Sequence, residues 1–226
     1  MASEVDICNL ALAHLGDVAT VSSISPPEGS AQAQHCAMFY PMARDSLLEM
    51  NSWGFSTKRV SLAQVTAEWP EWDYAYAIPA DALNIVAILP PDAQDDYSTR
   101  FSPTDTPGYY ANNAPIMAAG RYTPQPFTLE VNSSGQHVLL TDQEQAVLRY
   151  TGQITNTAEY SPLFVMTLSW HLASMLAGPV IKGDAGAAEA KRCQQMMSMY
   201  LSQAKMSDAN QRQIKPEHIV KWMSGR

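Results

Sequence analysis

The chain has 226 residues, 46% of them hydrophobic and only 16% charged, enough to bury a sizeable core as one large domain or two small ones. Lys and Arg total 14 against 22 Asp and Glu, a formal net charge of −8, so there is no overall basic footprint for gripping nucleic acid. An acidic wall past which DNA slides is a different case, because it repels phosphates and avoids sticking.

Ser3 is placed to cap a first helix that carries Val5, Cys8, Leu12 and Leu15 on one face, and Gly16 to end it. After a Ser- and Pro-rich loop from Val18 to Pro27, a second helix is expected from Glu28 to about Met50, through Cys36, Phe39, Leu47 and Leu48. Pro41 lies inside it and predicts a kink or two shorter helices. Arg44 and Asp45 on this helix read either as solvated charges or as a pair across a subunit boundary.

From Trp53 the period changes to two, with Trp53, Phe55 and Thr57 on one face and Val60 and Leu62 farther along. A turn at 68–71 that holds Trp69 and Pro70 precedes an extended piece, Tyr74 to Ile78, and Leu83 to Leu89 is a further strand, stopped by Pro90 and Pro91. Trp69, Trp72, Tyr74 and Tyr76 are either half-buried sheet aromatics or anchors between subunits. Residues 92–126 are Pro-rich and irregular, a long loop expected to reach toward a neighbour. Phe127 to Val131 and His137 to Thr141 form a hairpin, and Ala146 to Ile154 adds a strand.

Helical pattern returns after Ser161 and Pro162, a cap and first-turn pair, with Leu163, Met166, Trp170, Ala173 and Ala177 in one stripe. Ser161 to Ile181 has no charged residue and approaches the length of a membrane span, but it contains Thr167, Ser169, His171 and Ser174 and a Gly178-Pro179 break. It therefore reads as a buried bundle helix, with no membrane insertion. A last helix from Asp184 to Ser207 carries Met196, Met197, Met199 and Met206, for which core packing and an adaptable interface are the two readings. The polar tail ends in an apolar knot, Ile219 to Met223.

The expected fold class is α+β: a helical bundle of 1–52 plus 155–207, an inserted antiparallel β-rich region of 53–154 with its loop at 92–126, and a docking tail, 208–226. Histidines 14, 35, 137, 171 and 218 lack a ligand spacing, and Cys8, Cys36 and Cys193 are odd in number and far apart, so no metal site, disulfide framework or cofactor is expected. The cysteine usage fits synthesis in a reducing cytoplasm. No phosphate loop or Gly-x-Ser-x-Gly elbow is present.

Several pieces fall in a recognisable order: Ile7 to Gly16; Tyr40 to Ala63 with Ala43-Arg44-Asp45 and the Trp53-Gly54-Phe55 corner; Trp72 to Leu83 with Tyr74 to Asp81; and Ser161 to Pro179. In that order they resemble the head-to-tail adaptor family of short-tailed phages, the tail tubular protein A family. The resemblance implies a non-enzymatic virion protein made in the host cytoplasm. It implies a closed ring of twelve copies between the portal and the tail nozzle, with fibres nearby in some relatives and DNA passing through the lumen. The helical unit would lie toward the portal and the β-rich region toward the nozzle.

From the residues themselves, Lys215, His218, Ile219, Lys221 and Trp222 are the expected portal or neighbour contacts, and Arg44, Asp45, Trp69 and Trp72 the expected inter-subunit contacts. Two alternatives stand beside the adaptor. One is a hydrolase that draws carboxylates from Asp81, Asp92, Asp95 or Asp96, and the other is a monomeric protein-binding module anchored by Trp69 and Trp72.

Overall fold

The structure, a computed structural model, describes residues 2–18, 20–91, 110–111, 114–115 and 125–211. In chain order the elements are α1 (Glu4–His14), α2 (Ala31–Glu49), β1 (Thr57–Ser61), β2 (Gln64–Val65), β3 (Tyr74–Ala77), β4 (Ala82–Leu89), β5 (Tyr110–Ala111), β6 (Ala114–Pro115), β7 (Phe127–Val131), β8 (His137–Thr141), β9 (Val147–Gly152), α3 (Pro162–Ile181) and α4 (Gly183–Asn210). The sheets have strand orders β1-β9-β4, β2-β3-β8-β7 and β5-β6. The fold is α+β. The chain divides into two units, one of Met1–Arg59, Pro79–Val86 and Arg149–Ala209, the other of Val60–Ile78, Ala87–Leu148 and Asn210–Arg226. Residues 53–59, 79–86 and 149–154 thus belong with the helices, whereas the sequence pattern groups them with the strands.

The helical unit is assembled from both ends of the chain. Ser3 forms a full capping box with Asp6, and Ser30 and Ser161 accept from the backbone of Ala33 and Phe164, so each of the first three helices starts at a hydroxyl that satisfies an otherwise unpaired N–H. Ile7 and Leu12 of α1, Tyr40, Leu47 and Leu48 of α2, and Phe164, Leu168, Leu172 and Leu176 of α3 fill one core. The Trp53-Gly54-Phe55 corner enters this core instead of starting a strand. Residues 54–56 make a 3-10 turn, Trp53 is buried with its indole N–H donating to the Leu47 carbonyl at 3.0 Å, and its ring meets Phe164 edge-on at 5.2 Å.

Two prolines interrupt less than their sequence context suggests. Pro41 sits on the exposed side of α2, which runs as one helix, and Pro179 lies two residues before the end of α3, where little helix remains to be disturbed. The break comes instead at Lys182 and Gly183, both at positive φ. α3 is long and apolar enough to cross a membrane, with 56% of its apolar window buried within the structure.

In the other unit, β7 and β8 form the expected hairpin in register from Phe127 opposite Thr141 to Val131 opposite His137. Gly135, at φ +81, makes the turn, and Asn132 Oδ1 accepts from the backbone N–H groups of Ser134 and Gln136. β3 pairs antiparallel with β8, and Ala75, Val138 and Leu140 make a small core under Val65, Trp69 and Trp72.

Candidate interaction surface

Helical spacing places Ala31, Gln34, Met38, Met42, Asp45 and Glu49 on one side of α2, opposite the core residues Cys36, Ala43 and Leu47. Met38 is 62% exposed and Met42 58%. α4 is more open still. Of its 28 residues, Gly186, Cys193, Ala204 and Asp208 are buried, while Met199 and Met206, seven apart and so on one face, are 45% and 69% exposed. Met196 and Met197 turn inward against the core, so the methionine-rich stretch divides into packing and surface residues. Methionine, flexible and polarisable, suits a surface that must adapt to a partner.

The polar groups of the helical unit are largely engaged with one another. Arg44 is 7% exposed and donates from Nε to Asp45 Oδ1 at 2.7 Å and from Nη2 to Oδ2 at 3.2 Å, and Gln153 donates to the same Oδ2 at 2.8 Å. Burial works against the Arg44 charge, but the hydrogen bonds and charge of Asp45 outweigh it and raise the guanidinium above its ordinary range. Adjacent residues on a helix seldom meet. Here the fork of Arg44 folds over its neighbour, and these two of the four expected inter-subunit residues take partners within the chain.

Asp81, a candidate catalytic carboxylate, accepts from Lys58 Nζ at 2.7 Å and from the Tyr150 hydroxyl at 3.0 Å. The Lys58 hydrogen bond, then that of Tyr150, hold Asp81 below the usual carboxylate range, while burial and Asp81 push the phenol up to about 12. Gly152 gives the lysine stem its passage, since a Cβ there would lie 2.8 Å from Lys58 Cδ. A carboxylate so stabilised as the anion is a poor proton donor near neutrality, and both of its oxygens are engaged. Asp92, Asp95 and Asp96 lie outside the described residues, as does most of the loop at 92–126.

Two histidines tie helices together. The His14 ring stacks on Trp170 at 3.6 Å with planes 6° apart, Arg192 lies 5.2 Å from the same indole, and its Nη2 donates to the His14 carbonyl at 3.0 Å. His171 Nε2 lies 2.9 Å from Ser46 Oγ, and that hydroxyl also lies 3.1 Å from the Ala43 carbonyl, its acceptor. The serine proton is thus used, so the imidazole donates through Nε2 and its buried Nδ1 has no hydrogen-bond partner among the described residues. Burial lowers both histidines, with Arg192 adding to the effect at His14.

Cys8, Cys36 and Cys193 are buried free thiols. No three His, Cys, Asp or Glu side chains cluster as a metal site among the described residues. Trp69 and Trp72 are half-buried against the β2-β3-β8-β7 sheet. Lys215, His218, Ile219, Lys221 and Trp222 lie outside the described residues, and the expected tail begins late, because α4 continues to Asn210 with Asp208 buried. The outward methionines of α2 escape the sequence reading, which follows only the core stripe of that helix. The signal was present as apolar residues at 38 and 42, off that stripe. Compared with models of known protein families and with curated proteins, the sequence matches none.

Proposed function

We propose that the chain is a structural, non-enzymatic virion protein, a head-to-tail adaptor. It assembles heterologously into a ring, dodecameric by the resemblance described above, between a portal and a tail nozzle. The observation that carries this reading is the outward methionine face of α2 at Met38 and Met42, in a chain poor in surface charge. A second open face, Met199 and Met206 on α4, is available for a further contact in the ring. The ordered sequence pieces supply the portal, nozzle and fibre context, and the net charge of −8 suits a lumen that DNA slides through without binding. The Arg44–Asp45 pair then acts by stiffening α2 at the edge of the contact face.

The test is to mix the purified protein with portal rings from the same source and image them by electron microscopy, beside a Met38→Asp/Met42→Asp variant. Fully burying an exposed methionine contributes roughly 1.5–3 kcal/mol, and Met38 and Met42 have 62% and 58% left to bury, so the double variant is expected to weaken ring assembly by at least about twentyfold in concentration. A coaxial ring on the portal that the variant fails to form is the expected result. Portal rings left bare by the folded parent protein would defeat the proposal.

A further inference from the structure

Residues 212–226 carry Arg212, Lys215, Lys221 and Arg226 against Glu217, a net +3 in a chain of net −8, which leaves −11 on everything before them. Within the same stretch lie Ile214, Ile219, Val220, Trp222 and Met223. A segment both basic and apolar in a protein otherwise acidic needs a surface with the opposite charge and the same greasiness.

The outer face of α2 has that chemistry. Met38 and Met42 provide the apolar part. Glu49 lies exposed in the last turn, without an ion-pair partner among the described residues, and no basic residue occupies that turn to offset the negative end of the helix dipole. Asp45 adds a carboxylate whose charge Arg44 shares. The other titratable group along this side is His35, half-buried beside Phe39.

The point from which the segment departs is fixed. Asp208, buried near the end of α4, accepts from the Gly54 N–H at 2.8 Å, so that end is tied to the corner that follows α2. Beyond Gln211 an extended chain of 15 residues reaches up to about 50 Å, enough to cross onto an adjacent molecule.

We propose that residues 214–223 of one copy dock on the α2 face of a neighbouring copy, with Trp222 and Met223 covering Met38 and Met42 and Lys215 and Lys221 answering Glu49. This rests on the ring reading and names a pair of surfaces that link its subunits. Contact between the Trp222 indole and methionine sulfur is favourable in its own right.

A fluorescent peptide of residues 211–226, titrated by anisotropy into the full chain carrying Trp222→Ala, tests the docking without requiring a ring. Saturable binding is expected, weakened at least about tenfold by Met42→Asp in the folded receptor and a few-fold by Glu49→Lys, the latter with a shallower salt dependence. A peptide that does not bind, or binds the Met42→Asp receptor equally well, overturns the proposal even if rings still form on portals. Binding in a protein that never forms rings would leave the docking face standing and remove the ring. A photo-crosslinker at position 42 of the full chain, in a mixture of light and nitrogen-15 protein, then decides the donor of the segment. Hybrid light-heavy crosslinks to 214–223 are expected, and same-chain crosslinks alone would refute docking on a neighbour.

Discussion

Gly186 points at the backbone of the last turns of α3 and Gly178 points into open space, so the two should respond to alanine in opposite senses. A Cβ built on Gly186 falls 2.9 Å from the Ala177 carbonyl oxygen and 3.6 Å from the Gly178 Cα, whereas one on Gly178 meets nothing within 4 Å. The obstruction at Gly186 is backbone near the end of a buried helix, which cannot swing aside as a side chain would. Relieving it by about half an ångström resembles overpacking, which costs roughly 1–3 kcal/mol. Replacing glycine inside a helix returns about 1 kcal/mol of propensity, so Gly186→Ala should lose up to about 2 kcal/mol net. At roughly 2–4 °C per kcal/mol for a chain of this length, the melting temperature should drop by up to about 8 °C. Gly178→Ala should gain no more than about 1 kcal/mol, and less than that because Pro179 restricts the residue before it. Thermal melts followed by far-UV circular dichroism measure both. A Gly186→Ala protein that melts above the parent temperature would refute the reasoning, since the propensity gain would then exceed the clash.

Acid should weaken the helical unit. His171 and His14 are held below their ordinary value of about 6.5 by burial, so below that pH the unfolded chain takes up protons that the folded chain does not. Stability is therefore full above about 6.5 and falls as the pH drops toward the folded values. Urea midpoints should decline from about pH 7.5 to 5, and His171→Gln should remove part of the slope, whereas midpoints that rise on acidification would contradict the assignment. Asp81→Asn should be mild. Its pair with Lys58 is more than a third exposed at both ends, worth at most about 1 kcal/mol, so a loss of melting temperature beyond about 4 °C would show that the pair does more than brace the surface.

Cap residues and periodicity made much of the helical unit readable. Ser3 and Ser161 mark helix starts by chemistry that acts within three residues, and the 127–141 hairpin is set by a local turn, whereas α2 starts at Ala31 after its Ser30 cap and not at Glu28 as the pattern suggests. What escaped was decided by contacts distant in sequence. Trp53 looks like a strand residue until Phe164 is present to receive it, and Asp208 looks like the start of a solvated tail until the Gly54 N–H claims it. Asp81 reads as an available carboxylate because nothing nearby in the chain announces Lys58 or Tyr150. Met38 and Met42 were overlooked for another reason: a pattern that explains the buried side of a helix does not ask why the other side is also apolar.

The helical unit draws on three separated stretches of chain, and this sets a schedule for synthesis. α2 ends at Glu49 and α3 ends at Ile181, so α1 and α2 leave the ribosome about 130 residues before the helix that completes their core. At roughly 5–20 residues per second that delay is about 7–26 seconds. Leu47, Leu48 and Tyr40 spend it without Phe164, Leu168 and Leu172 to cover them. The nascent chain during that interval is the form of this protein most in need of a chaperone, and slowing translation between 50 and 160 should lower the yield of native protein more than slowing it elsewhere.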